Sequence, residues 1–520
     1  MRPLLYKGAL NMSCLIGLDI GTTGVKAIMI NRDGKVLATD FQEYPLYFPR
    51  PGWAEQNPED WWNATIKSIK NLMGKARVKP DSIKGLSFSG QMHGLICLDK
   101  NYKVIRPAIL WCDVRTTPQC KKITEIVGKE KLLKLVSNPA LEGFTLPKLI
   151  WVRDNELQNY VKIKKILLPK DYIRFKMTGK IGIDISDAAG TLMLNVVKRK
   201  WSDELLKILK IDKGILPDVY ESIDVAGEIT DEVAKLTGLA IGTKIVFGGA
   251  DNTCSAVGNG IIKVGLVSSS IGSSGVVLAP AEKVKLEKEG RIHTFNHSVP
   301  NLWYFMGVML SAGISYRWFR DTFGEIEKEI EKKRGIDAYN SLNKLAEKVP
   351  VGSEGLIFLP YLNGERTPHQ DGYAKGVFFG ITPRHTKGHF VRAILEGVVY
   401  GLRDSLEIIK EMSVPIKQIR LTGGGAKSLL WRQIQADIFN HPVVTINVDE
   451  GPAFGAAIIA GVGVGVYKSF SEATDNIIKV SNQIEPIKKN VKIYDEFYQI
   501  YKSLYPELKG SFCEVSKLLK

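Results

Sequence analysis

One unit, met twice, limits the possible folds more than any other feature. Cys14-Leu-Ile-Gly-Leu-Asp19-Ile reads as an apolar strand, Gly21-Thr22-Thr23-Gly24 as a tight turn, and Val25 to Ile30 as a second strand. About 250 residues later the theme returns: Gly265 to Ser270, then Gly272-Ser273-Ser274-Gly275, then Val276 to Leu278. The flanking sequences do not align, so this is weak as an internal repeat. It does suggest two domains whose glycine hairpins grasp phosphate from the two sides of one cleft. Asn31-Arg-Asp-Gly34 marks a further turn before a third strand, Val36 to Phe41. Consecutive antiparallel strands at this place do not suit a Rossmann start. A chain of 520 residues also exceeds what one core organises, and two or three domains are expected.

Composition narrows the class. Hydrophobic residues make up 44% and charged residues 24%, which excludes disordered, collagen-like and coiled-coil chains. No apolar run reaches the roughly 18 residues that span a bilayer; the nearest, Gly455 to Tyr467, is short and glycine-rich. The start, Met1-Arg2-Pro3-Leu4-Leu5, is too briefly apolar for a signal peptide. The six cysteines form no C-x-x-C pair and the seven histidines no metal-binding motif. A soluble cytoplasmic protein with reduced thiols is the expectation. The net charge of +16 fits either a nucleic-acid or membrane surface or a basic exterior on an enzyme of anionic substrates. The lysines are spread in short groups, with no RNA-binding signature, so charge alone does not decide.

The candidate chemistry lies on loops. Asn57-Pro58-Glu59-Asp60 opens a helix, with Trp62, Ile66, Ile69 and Met73 as its expected buried stripe and Gly74 as its stop. In Asp19-Ile-Gly21-Thr22-Thr23-Gly24, glycines let backbone N–H groups approach phosphate, and a carboxylate at the strand end can hold hydrated Mg²⁺. A hairpin turn with an incidental Asp reads equally from that segment taken alone. The loop Gly423-Gly424-Gly425-Ala426 lies between the strand-like Ile419 to Leu421 and a helix from Leu429, a good seat for a nucleotide. It is no Walker A loop. Gly248-Gly249-Ala250-Asp251-Asn252 follows the strand Lys244 to Phe247. There Asp251 can serve as a base in phosphoryl transfer, or as an Asx-turn or helix cap, and the two are compatible. On spacing, His93 reads as a structural histidine, Glu365-Arg366-Thr367-Pro368 as a surface loop, and Trp53, Trp61 and Trp62 as packing. A second amphipathic helix is expected over Phe390 to Met412, and a lysine-rich tail from Ile484 to Lys520 ends in a surface helix.

Together these segments resemble the FGGY family of carbohydrate kinases. Two family signatures are complete: Gly143-Phe-Thr145-Leu-Pro-Lys148-Leu-Ile-Trp151-Val-Arg-Asp154-Asn155, and Gly376-Val-Phe-Phe-Gly380-Ile followed after seven residues by His389-Phe390-Val-Arg-Ala393-Ile-Leu-Glu396. Ser89-Gly-Gln-Met92-His93-Gly94, Leu110 to Arg115, Leu168 to Tyr172, Asp187 to Thr191, Met309 to Ala312 and Leu359 to His369 resemble the members that phosphorylate the pentulose D-xylulose. The matches run from about Leu15 to Ala460.

The resemblance implies an α/β fold of two RNase H-like (actin/Hsp70/hexokinase-type) domains flanking a cleft. The expected division is 13–247, 248–486 and a helical tail 487–520. It implies Met92 and His93 at the sugar, Asp251 as catalytic base with Asn252 beside it, and Asp19 at Mg²⁺. ATP phosphates are implied at Gly21, Thr22, Thr23, Gly272, Ser273 and Ser274, and adenosine at Gly423, Gly424, Gly425 and Ala426. The partners implied are D-xylulose and ATP, without nucleic acid or membrane, with a homodimer left open. Ribulose, another pentulose or a polyol such as glycerol is the alternative acceptor, and a non-catalytic nucleic-acid-binding or regulatory relative the remote one. Ser273 stands where the family has Thr, and Ala250 where it has Gly. The residues before Met12 are extra relative to the family, which makes Met12 an alternative start.

Overall fold

The computed structural model describes residues 13–518; the alternative start at Met12 lies outside them. Two seven-stranded sheets carry the architecture. In the first, β1 (Cys14–Ile20), β2 (Gly24–Asn31) and β3 (Val36–Glu43) form an antiparallel meander. β4 (Ile83–Gly90) lies parallel to β1 on its other side. β5 (Val225–Glu228) and β6 (Lys244–Val246) complete the order β5-β6-β4-β1-β2-β3, and β7 (Gly249–Ala250) also pairs with β4.

The second sheet contains β8 (Gly265–Ile271), β9 (Gly275–Ala281), β10 (His293–Asn296), β11 (Trp303–Met309), β12 (Ile416–Gly423), β13 (Val443–Ile446) and β14 (Val480–Ile484). Its order is β10-β11-β9-β8-β12-β13-β14. Here too an antiparallel run, β11-β9-β8, continues into the parallel strands β12 and β13. The unit that recurs in the sequence is therefore the first hairpin of two sheets with the same central topology. β1 and β2 are buried along nearly their whole length, which is why they read as continuous apolar runs, while β3, at the edge, is mostly half-buried or exposed.

Helix α1 (Pro58–Ala76) starts where expected, with the Asn57 side chain accepting from Glu59 N–H at 3.2 Å. Its buried face differs from the expected one. Trp61, Ala64, Thr65, Ser68, Ile69 and Leu72 face the core, and Trp62, Ile66 and Met73 lie to the side. The helix also runs past Gly74 and ends at Arg77 in the left-handed region. Further elements position the site: α2 (Ile185–Ala189), α3 (Asp251–Gly258), α4 (Gly313–Phe323), α5 (Ala338–Ala346), α6 (Lys387–Glu411), α7 (Leu429–Phe439), α8 (Pro452–Gly463) and α9 (Lys488–Leu518).

Helix α8 is apolar nearly all round and accordingly buried. It lies between β1 and α3, where Gly17, Gly258 and Gly455 let backbones touch. Among the described residues no helix is long and apolar enough to cross a membrane. Helix α9 buries Tyr494, Tyr498, Tyr501 and Tyr505 in the same core as α6. Tyr494 Oη donates to Glu396 at 2.8 Å and Tyr498 Oη to Asp404 at 2.6 Å. A separate core joins the sheets: Phe295, Tyr304 and Val308 of the second pack with Leu146, Ile185 and Ala250.

Candidate active site

The strand β7 delivers Asp251 to the first position of α3. Its carboxylate accepts the Asn252 N–H at 2.6 Å. Burial, and then the negative charge of Asp19, push Asp251 up to about 7, with the Asn252 bond pulling partly back. Asp19, near the end of β1, is raised by burial to about 6, opposed by Ser89 and Lys26. Its Oδ1 is buried without a hydrogen-bond partner. Lys26, opposite Asp19 on β2, bonds to the Glu450 carbonyl at 2.9 Å and its carboxylate at 3.0 Å.

Met92 and His93 meet Asn252 and α2. Asn252 Nδ2 is 3.4 Å from Met92 Sδ. His93 Nδ1 lies 2.5 Å from the Gly190 carbonyl. A carbonyl only accepts, so Nδ1 carries the proton and Nε2 is left as an acceptor. Burial and the charge of Lys148 push this imidazole down to about 3, so it is neutral at working pH. His93 sits at φ +69°, and its carbonyl is held by Thr145 Oγ1 and Lys148 Nζ, both at 3.1 Å. The structural role read from spacing is present, and the ring keeps one free acceptor beside it.

The first hairpin is fixed from the same side. Gln91 Nε2 donates to the Gly21 carbonyl at 3.3 Å, Gln56 Nε2 to the Thr22 carbonyl at 2.8 Å, and Trp111 Nε1 to Thr22 Oγ1 at 3.0 Å. Thr23 is exposed at the tip. In the second hairpin the Ser273 carbonyl accepts from Ala312 and Ile314 N–H, each at 3.1 Å, while Ser273 and Ser274 are exposed. Gly423, at φ +75°, brings the glycine loop against this hairpin; a Cβ there would sit 2.6 Å from the Ile271 carbonyl oxygen.

Beside these two loops opens a cavity of about 590 Å³, lined by Gly272, Ser273, Gly424 and Gly425 together with Tyr316, Arg317, Tyr339, Asn340, Asn343 and Trp431. The last six come from α4, α5 and α7, and no local pattern marks them in the sequence. Ala426 lines an adjoining cavity with Thr422 and Gly423.

Glu365 corrects an expectation. It is not on a surface loop: only 2% exposed, it accepts from Leu310 N–H at 2.9 Å and Arg366 N–H at 2.7 Å, and burial raises it to about 8. A buried carboxyl with two backbone donors looks, in sequence, like any charged turn.

The arrangement suits transfer of a phosphoryl group to a polyhydroxylated acceptor. It offers a carboxyl raised to about 7, neutral hydrogen-bonding groups close by, and a glycine hairpin and a glycine loop that together line a cavity of nucleotide size. Comparisons with known proteins agree. The family model described as the FGGY family of carbohydrate kinases, N-terminal domain, matches residues 14–258, and the C-terminal domain model matches 267–464. A xylulose kinase of Bacillus subtilis is 42% identical over 498 residues, covering 96% of this chain and 98% of its own. A gluconokinase of the same organism is 33% identical, covering 97% and 98%. The crystal structure of ligand-bound xylulose kinase from Lactobacillus acidophilus superposes with a TM-score of 0.90 at 29% identity, over 97% of this chain and 100% of that one.

Proposed function

The chain belongs to the FGGY family of carbohydrate kinases, and from that premise we propose that it transfers the γ-phosphoryl group of ATP to the C5 hydroxyl of D-xylulose. The observation that carries this reading is the contact of Asn252, the neighbour of Asp251, with Met92, the neighbour of His93. Asp251 takes the proton from the terminal hydroxyl as that oxygen attacks in line, a role that a carboxylate near 7 fills at neutral pH. His93 Nε2 accepts from a hydroxyl further along the sugar. Ser273, Ser274 and the backbone of both hairpins receive the phosphates, and the cavity between α4, α5 and α7 the adenosine. Around Asp251 and Asp19, which burial raises above the usual carboxylate range, the low-dielectric surroundings strengthen each polar contact.

Asp19 fits a magnesium ion. Its buried, unpartnered oxygen is what a cation would satisfy. Among the described residues no group of three or more His, Cys, Asp or Glu could hold a metal by itself. An ion held by one carboxylate, waters and phosphate oxygens is the Mg²⁺ pattern. When bound, the ion neutralises charge on the phosphates.

The reading divides the chain near Phe247, with the base just beyond. It places the protein in the cytoplasm, in keeping with six cysteines scattered along the sequence without a C-x-x-C pair. The gluconokinase similarity favours gluconate as a second acceptor. A panel of D-xylulose, D-ribulose, glycerol and gluconate, compared by kcat/KM with ADP detection, decides. D-xylulose is expected to lead; any other acceptor leading overturns the substrate assignment.

A further inference from the structure

Beneath the site lies a fully buried charge cluster with no part in the chemistry above. Lys170 Nζ is 2.9 Å from Asp171, 2.6 Å from Asp184 and 3.0 Å from Asp187, and Arg174 is 3.1 Å from Asp171. Three acids and two bases out of water are costly, and apolar residues of similar volume often do as well or better for stability. Stability alone is therefore a poor reason for the cluster. Its connections give another.

The second carboxylate oxygen of Asp184 accepts from Ser186 N–H at 2.8 Å, from Ser222 Oγ at 3.0 Å, and from the Ser186 hydroxyl. With its proton so committed, Ser186 Oγ is left as an acceptor, and it takes the Ala250 N–H at 2.9 Å. Ala250 is the residue immediately before Asp251. Gly249, one step earlier, is wedged against three hydroxyls. A Cβ there would sit 2.9 Å from Thr253 Oγ1 and 3.2 Å from Ser186 Oγ, and would overlap Ser298 Oγ.

At the far end of α2 the Gly190 carbonyl holds His93 Nδ1. A Cβ on Gly190 would lie 3.0 Å from both His93 Nδ1 and Met92 Cε. One short helix thus grips the base at one end and the sugar-side histidine at the other.

We propose that Ser186, anchored by Asp184 on Lys170, is a positioning residue. Through α2 it sets the separation between His93 and Asp251, and so which hydroxyl of the bound sugar meets the base. The inference rests on Asp251 being that base. A displacement of about 1 Å at a reacting group can cost about 100-fold in rate, so one lost bond at Ala250 has a readable effect.

The test compares Ser186→Ala, Ser186→Cys, Ser222→Ala and Asp251→Asn in one assay of kcat, both KM values and thermal melting. Ser186→Ala is expected to lower kcat by about tenfold or more while KM for ATP stays within about twofold. Ser186→Cys, which keeps the shape with a weaker acceptor, should fall between it and the parent, and it carries the test if Ser186→Ala fails to fold. Ser222→Ala removes a different bond to the same carboxylate and should lower melting while kcat stays within about twofold of the parent. The proposal is overturned if the folded Ser186 variants keep the parent's kcat, or if Ser222→Ala loses as much kcat as they do. Turnover retained in Asp251→Asn would instead overturn the base assignment beneath it.

Discussion

Asp251→Asn is expected to lower kcat by about 10²–10⁴-fold, the usual worth of a positioned general base, while ATP still binds. The cavity assigned to adenosine is built from α4, α5, α7 and the glycine loops, none of which carries Asp251. The same substitution should raise stability at pH 8. Asp251 is raised to about 7 in the folded chain, so between about pH 4 and 7 the folded state holds a proton that the unfolded state has released. Its contribution to stability is therefore lost as pH rises through about 7, where the buried group must ionise. Asn never ionises, so the variant should melt above the parent at pH 8 and close to it at pH 4. In the parent, kcat/KM should rise with pH through about 7, because only the carboxylate can take the proton. Turnover within tenfold of the parent would end Asp251's candidacy, and a variant that melts lower at pH 8 would contradict the burial argument.

Gly455→Ala is the largest expected effect on stability. A Cβ at this position would fall on the carbonyl oxygen of Cys254, 2.6 Å from its carbon and 2.9 Å from the nitrogen of Gly258. These are backbone atoms of α3, so no rotamer change relieves the overlap. On its other side α8 lies against β1, where Gly17 leaves no room for a Cβ beside Ala453. The helix cannot retreat. We expect a cost of about 3 kcal/mol or more, seen as a melting temperature lower by roughly 3 °C or more. Because the displaced helix begins with Asp251, kcat should fall as well, even well below the melting point. Parent-like melting and kcat together would show that α8 and α3 do not meet as described. An alanine at exposed Gly74, which has nothing within 4 Å of its Cβ position, is the matched control.

Both glycine hairpins, Asp19 and Asp251 are legible in the sequence because each lies on a short local pattern, strand, glycine turn and strand or helix, that reports its own geometry. Helix starts are legible as well: α7 begins at Leu429 and α1 at its Asn57 cap, both as the sequence implies. The face of α1 was less legible. Adjacent Trp61 and Trp62 offer two apolar stripes one residue apart, and period alone cannot choose which one meets β2 and β3. The end of α1 differs from the expected stop at Gly74 because a glycine permits a stop without requiring one, and Arg77 takes the left-handed position instead.

Residues whose role depends on distant partners were hidden. Lys170, Asp184 and Asp187 carry charge, which in a sequence reads as surface, yet they are buried against one another. Tyr316, Arg317, Asn340 and Asn343 meet only when α4 and α5 are set beside the glycine loop. The net charge of +16, prominent in the composition, does not explain the site: the charge that acts on Asp251 is that of an acid, Asp19.

Phosphorus NMR of the product formed from ATP and D-xylulose reads out which hydroxyl receives the phosphoryl group. A single phosphomonoester coupled to the C5 protons of xylulose, formed together with an equal amount of ADP, is the expected result. Phosphate on another carbon, or inorganic phosphate released without a sugar ester, would contradict the assignment of Asp251 as the base that selects the terminal hydroxyl.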